Sequence, residues 1–229
     1  SLDPIESTSH RVQIWGGHIE GDPMVVGVGE VLVDCSIEEC AANEYFSHGR
    51  VALNIFYDLN GGMIKEFHHF NSHSLRNRSV YYVAPGFDPR EFLWHVVWKK
   101  NDTDTIVMAY VPLIDPEFPI VPDYVRGFST TFIEFKRVTD INGIEGTFIT
   151  YKTQLSMNGN IPSKLVNSQL GSRMMFLEGV RRKFDKSLQI DAAARNEFVE
   201  KIKDYEGIYS TEENVQIADS LAMMKDFDQ

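Results

Sequence analysis

The chain has only two cysteines, Cys35 and Cys40. Two thiols make no disulfide framework, so the fold must rest on a packed core, and a reducing cytosolic compartment is the expected setting. Basic residues are scarce too. Twenty-two Lys and Arg stand against 33 Asp and Glu, for a net charge of −11. A nucleic-acid face needs a positive stripe, so no nucleic-acid partner is expected. No apolar run approaches the ~20 residues of a membrane-spanning helix, and no basic-then-apolar leader opens the chain. Residues 1–10 read as a cut within a longer polypeptide or as an expression scar. The two Asn-x-Ser/Thr triplets, at Asn77 and Asn101, read as chance matches without a secretory context.

Motifs for common chemistries are missing as well. There is no G-x-S-x-G, no P-loop and no G-x-G-x-x-G. Gly27-Val28-Gly29 lies inside a β-rich run and reads as a bulge or a close backbone approach. His68, His69 and His73, with His48, Cys35 and Cys40, lack the paired spacings of a metal site. Neither a metal nor another cofactor is expected.

What remains is rich in apolar and aromatic side chains, 43% and 12% of 229 residues, enough for a sizeable core. Residues 11–34 read as two strands around the Gly21-Asp22-Pro23 turn. Ser36 and Glu39 form a capping-box pattern, so 36–47 reads as a short helix with Ile37, Cys40, Ala41 and Tyr45 inward. Residues 51–57 fit strand or helix. From 63 the runs 63–70, 78–84, 90–100 and 104–112 are β-rich. A proline-rich connection, 112–123, leads to two long runs, 124–138 and 144–157. Turn residues separate most of these runs, which favours antiparallel hairpins over a parallel α/β sheet.

Helical period returns at 162. Val166, Leu170, Met174, Leu177, Val180 and Phe184 recur every three or four residues and form one apolar stripe. If unbroken, 162–187 is a helix ~39 Å long. The tail 188–229 reads as an acidic pair of short helices, 191–204 and one capped by Ser210 and Glu213, linking to a further domain. The expected class is α+β: a curved antiparallel sheet wrapped around the long C-terminal helix, with a pocket between them.

Three strings then carry a family resemblance. Phe87-Asp88-Pro89-Arg90-Glu91-Phe92-Leu93-Trp94 resembles the strand-opening "PRDF" motif of START domains, the steroidogenic-acute-regulatory-related lipid-transfer family. Val125-Arg126-Gly127 resembles its "VRG" motif. The stretch from Asn158 to Asn167 resembles the opening of its last helix. They occur in the family's order, and the resemblance covers about residues 10–187. It implies a helix-grip fold with an interior lipid cavity, and non-enzymatic binding, transfer or sensing of one lipid. The chain departs in Glu91 for Asp, Asn160 for Trp, a missing or truncated N-terminal helix and the added tail. Steroid-handling members pair a carboxylate with an arginine in the cavity; the corresponding positions here are Asn77 and Val96, so that pair is absent.

The candidate lipid-binding residues are Trp94, Val96, Trp98, Tyr110, Arg126, Val166, Leu170, Arg173, Leu177 and Val180. Trp94, Val96 and Trp98 alternate and share one sheet face, which lines the cavity, packs on the outer face or forms plain core. Arg173 lies within the apolar stripe, and its charge either meets a ligand phosphate or carboxylate, pairs with a strand carboxylate such as Glu134, or snorkels to the rim. Arg126 is a polar wall contact or an ion-paired anchor of its strand. The proline-rich connection is a gate or a stiff surface loop. The expected partners are a phospholipid, sterol or fatty-acyl ligand, a transient membrane surface and neighbouring domains of a longer chain. The alternatives are a helix-grip enzyme of cyclase or hydrolase type, with Arg173, His95 and Tyr110 as candidates, and an interaction module with a filled core.

Overall fold

The alternation of apolar and polar residues from Val12 to Ser156 builds one open sheet. In this computed structural model residues 2–7, 9–18, 24–139, 145–159, 161, 170–171 and 174–224 are described. The strands are β1 (Leu2–Ile5), β2 (Val12–His18), β3 (Val25–Val33), β4 (Gly62–Asn71), β5 (Ser74–Tyr81), β6 (Arg90–Lys100), β7 (Thr105–Pro112), β8 (Val125–Arg126), β9 (Phe128–Thr139) and β10 (Glu145–Ser156). Their order across the sheet is β1-β2-β3-β10-β9-β7-β6-β5-β4, so β1 and β4 are its two free borders. All pairings along that path are antiparallel, and β8 adds a short parallel pairing to β6. Border strand β4 shifts register twice against β5, between Gly62 and Ile64 and between His69 and Asn71.

Helices follow the local signals. α1 (Ile37–Tyr45) starts at Ser36, whose hydroxyl accepts from the Glu39 N–H, and buries Ile37, Cys40 and Ala41 as its spacing predicts. The ambiguous 51–57 stretch is helical: α2 (Arg50–Asn54) runs into a π-helical turn at Ile55–Leu59 that buries Phe56. The segment 2–5, to which no element was assigned from the sequence, pairs with β2 as β1. Cys35, just past the end of β3, and Cys40, in the first turn of α1, are joined in a disulfide. The reversal at 34–36, between the end of β3 and the start of α1, brings the two side chains together.

The C-terminal stripe is seated on the sheet. Leu170, Gly171 and Met174 are helical and lead to α3 (Phe176–Lys183), which ends at Phe184 rather than continuing to 187. Leu170, Met174 and Leu177 are buried, and Val180 and Phe184 pack against the same core. The seat is made by glycine. A Cβ on Gly29 would lie 2.5 Å from Leu177 Cδ1 and 2.8 Å from Met174 Cε, and one on Gly27 would lie 3.0 Å from Leu170 Cδ1. Close approach is thus the role of the Gly27-Val28-Gly29 run. The fold is a helix grip, an antiparallel sheet holding a C-terminal helix on one face. Val166 and Arg173 lie outside the described residues.

The register extends this face across the sheet. From Gly29 it passes to Tyr151, Ile133 and Met108, then to Trp98. Trp94, Val96, Trp98 and Tyr110 therefore share the face that carries the helix, with Leu75, Asn77 and Ser79 of β5 and Lys65 and Phe67 of β4 beyond them.

At the start of α3, Glu178 is buried and accepts from Arg181 Nε at 2.9 Å, Arg182 Nε at 2.8 Å and Ser9 Oγ at 2.9 Å. This ties the segment before β2 to the helix. The chain divides into two compact units, Ser1–Asp185 and Lys186–Gln229. The second contains α4 (Ser187–Lys203) and α5 (Thr211–Met224). α5 begins in a capping box, with Ser210 Oγ accepting from the Glu213 N–H at 3.2 Å and Glu213 Oε2 from the Ser210 N–H at 2.8 Å.

Two expectations follow. Gly29→Val overfills the helix seat and should cost about 1–3 kcal/mol, read as a lowered Tm, while Leu32→Thr on the opposite, exposed side of β3 should change it little. Second, the Arg181 guanidinium holds the Glu178 carboxyl down at about 2, from an ordinary 4.5. A depressed carboxylate stabilises the fold fully above about pH 4.5 and loses that contribution as pH falls towards 2. Glu178→Gln should flatten this part of the acid limb in a Tm-against-pH series; an unchanged limb would rule the contribution out.

Candidate functional site

The helix-bearing face has two halves. Around Val31, Ile106, Met108, Phe135, Ile149 and Leu177 it is packed with apolar side chains. Towards β4, β5 and the C-terminal half of β7 it carries polar groups instead. Glu44, at the end of α1, reaches into this half and accepts from the Tyr110 hydroxyl at 2.9 Å. Lys65 of β4 donates to Ser79 Oγ at 2.8 Å, and Ser79 Oγ donates to Asn77 Oδ1 at 3.2 Å. The Lys65 ammonium also lies over the rings of Phe56 and Phe67, 5.0 and 5.3 Å from their centroids. Thr131 and Thr153 share a hydroxyl–hydroxyl bond of 2.8 Å. Trp94 Nε1 donates to both the Ser129 carbonyl and its hydroxyl at 3.1 Å.

The electrostatics show how deep these groups lie. Burial pushes the Glu44 carboxyl up, opposed by the Tyr110 hydrogen bond. Burial pulls the Lys65 ammonium down to about 8, opposed by the attraction of Glu44. Burial also pushes the Tyr110 and Tyr151 hydroxyls up, with the Glu44 charge adding to it. Yet Glu44, Lys65, Tyr110 and Tyr151 are only half-buried by surface area. A small void lies between α1, α3 and the sheet, bordered by Glu44, Ile133, Ile149, Tyr151, Leu177 and Val180. Its volume of about 10 Å³ suits a water molecule, not an acyl chain.

Structural comparison places this architecture. The human StarD13 lipid transfer and protein localization domain superimposes with a TM-score of 0.62 at 11% identity, over 81% of this chain and 89% of that one. Human StAR-related lipid transfer protein 5 gives 0.61 at 18% identity, over 80% and 87%. A STAR-related lipid transfer protein from Xanthomonas axonopodis gives 0.62 at 17% identity, over 80% and 98%. The chain has the fold of START domains. Neither a family model nor a curated protein sequence matches it.

Within the START fold the three sequence motifs meet at one corner. Arg90 is almost wholly buried, 2% exposed, and donates to the carbonyls of Met157 at 2.8 Å and Asn158 at 3.0 Å, and to that of Asp88. Asn158 takes a left-handed conformation, φ 48°, which asparagine tolerates, and its side-chain amide donates to the Arg126 carbonyl at 2.8 Å. Arg126 itself is an anchor. Its guanidinium donates to Glu91 Oε2 from Nε at 2.9 Å and from Nη2 at 2.7 Å, and to the Phe118 carbonyl at 2.9 Å. Glu91 also accepts from Arg78 Nε at 2.6 Å. By alternation Glu91 and Arg78 lie on the sheet face opposite the helix. The proline-rich connection is fastened there: Arg76 pairs with Asp115 at 2.7 Å and Glu117 at 3.0 Å, and stacks over Phe118.

The other expected site residues divide. Trp94 and Tyr110 border the polar half, and Leu177 and Val180 border the void. Val96 is buried core at 1% exposure, and Trp98 packs against Tyr45 and His73 and donates to the Ser72 carbonyl at 3.0 Å. Leu170 fills the glycine seat. His95 pairs with Val111 and so faces away from Tyr110, which separates the proposed enzyme candidates. Among the described residues no three His, Cys, Asp or Glu groups converge as a metal site. Glu44 and Lys65 were missed because they sit on different elements, and only the turn after α1 brings them to one face. An acidic residue inside the apolar end of a predicted helix was the available signal.

Arg90→Met should strand three carbonyls and destabilise the fold by about 3 kcal/mol. Arg90→Lys should recover little, since one ammonium lacks the planar fork. Denaturant midpoints of the two variants measure this; a lysine variant as stable as the parent would show that the charge alone suffices.

Proposed function

We propose that the chain is a non-enzymatic lipid-binding domain that holds one lipid, a phospholipid, sterol or fatty-acyl lipid, between the sheet and the C-terminal helix. The observation that carries this reading is the START fold itself, in which the half-buried polar side chains Glu44, Lys65, Tyr110 and Tyr151 lie on the face that carries the helix. The START neighbours support it by name, since those proteins are called lipid transfer domains and proteins. The lipid-binding unit spans about residues 10–187, and 188–229 is an acidic helical tail or a linker to a neighbouring domain. The role is intracellular lipid transfer or lipid sensing within a longer protein.

The void as it stands is too small for an acyl chain, so admission requires motion. The proline-rich connection is held by Arg76, Arg126 and the Phe118 ring on the far face. The helix side, seated on glycine, is the part that gives way. No helix among the described residues is long and apolar enough to cross a membrane; exchange takes place by transient contact with a membrane surface.

Native mass spectrometry of the purified chain tests the reading. A co-purified lipid, or uptake of one lipid per chain after incubation with mixed-lipid vesicles, is expected. A folded chain that stays empty after incubation would favour an interaction module with a filled core. A chemically altered lipid would move the chain to the enzyme class.

A further inference from the structure

Cys35 and Cys40 are the only cysteines of the chain, and the structure joins them across a sequence separation of five. A bridge over so short a loop constrains the unfolded chain least, and it ties no two distant parts of the domain together. What it fixes is local: the way α1 leaves the end of β3.

α1 packs against β7, β9 and β10, and buries Ile37, Cys40 and Ala41. Its first half is otherwise held by ion pairs of Glu38 with Lys100 at 2.8 Å and Arg137 at 3.4 Å. Both pairs are open to solvent, so they hold weakly. Its second half reaches the interior, where Glu44 accepts from Tyr110 and Asn43 accepts from Lys183 of α3. Cys40, Asn43 and Glu44 all border the void between α1, α3 and the sheet. The sulfur bond thus stands where the helix that walls this void is joined to the sheet. Cys35 has a second hold, because Thr147 Oγ1 of β10 donates to its carbonyl at 2.7 Å. If the bond opens, the sheet side stays in place and α1 is the part left to move.

In a reducing medium the pair is expected as thiols. Two unbonded sulfurs cannot remain at bonding distance, and the void beside Cys40 offers the extra room. Both cysteines are 1% exposed, so an external thiol reaches the bond only when the first turn of α1 lifts.

We propose that Cys35 and Cys40 form a redox clasp on α1. As a disulfide the pair pins the helix over the interior; as two thiols it lets the helix lift from the sheet. The reductant is a small thiol of the glutathione class. Its thiolate attacks one sulfur, the Cys35–Cys40 bond breaks, and a second small thiol resolves the mixed disulfide. Two electrons and two protons pass to the cysteines, and one small-molecule disulfide leaves. The clasp works in this way whatever the interior holds.

The test uses the full chain, oxidised with glutathione disulfide or reduced with dithiothreitol, with the redox state read as the mass added by alkylation. Amide hydrogen exchange across α1, residues 37–45, should be about tenfold faster in the reduced chain, while β9 and β10 keep their rates. The double variant Cys35→Ala/Cys40→Ala should match the reduced chain in either medium. The two forms of the wild type are compared with each other, so the outcome holds even if the variant fails to fold. Three results overturn the inference. A chain that forms no bond in excess glutathione disulfide has no clasp. Equal exchange across α1 in the two forms makes the bond inert. Reduction that also strips protection from β9 and β10 makes the bond a staple of the whole domain.

Discussion

One buried guanidinium fixes how the chain leaves the last strand of the sheet. Arg90 stands at the first position of β6 and bonds to main-chain oxygens of Met157 and Asn158, the residues that follow the last strand. An arginine so deep is costly unless all its N–H groups are used, and a planar fork matched to successive carbonyls uses several at once. The direction in which the chain leaves β10 is thereby set by a side chain almost seventy residues earlier. On the other side of β6, Glu91 plays the matching role with Arg78 and Arg126. Neighbouring residues of one strand thus anchor the helix corner on one face and the outer loop on the other.

Much of the architecture was legible in the sequence because it depends on local periods. The alternation in 90–100 and 144–157, the capping pairs Ser36–Glu39 and Ser210–Glu213, and the apolar stripe through Leu170, Met174 and Leu177 are local facts, and each corresponds to the element expected. Boundaries failed where a signal was absent. The hairpin between β4 and β5 turns at Ser72-His73, where no glycine or proline marks it; instead the Asn71 side chain accepts from the His73 N–H. The stretch 51–57 stayed ambiguous because Val, Leu, Ile and Phe suit either state when fully apolar, and its π-helical continuation has no period to read. The disulfide was invisible because a separation of five residues says nothing about a strand-to-helix reversal.

The interior was less legible for a different reason. Trp94 and Tyr110 could be assigned to one face from alternation alone. Glu44 follows Asn43 and reads as ordinary helix surface chemistry, and Lys65 is one lysine in a β run. Their importance comes from the face of the sheet they share, which depends on register across several strands. Asn77, the position that the family resemblance sets against a cavity carboxylate, accepts from Ser79, which itself accepts from Lys65.

The open sheet has two borders, and both are built to stay single. β1 is four residues long and carries Pro4, which has no N–H to offer a neighbour. β4 shifts register at each end, which twists its free hydrogen-bonding groups out of line. A second chain laid along either border would meet broken rows of donors and acceptors. Copies of this domain, or domains next to it in a longer polypeptide, can therefore crowd together without zipping into a shared sheet. Encounters between copies are left to faces and helices, so the sheet itself need not become adhesive when many copies meet.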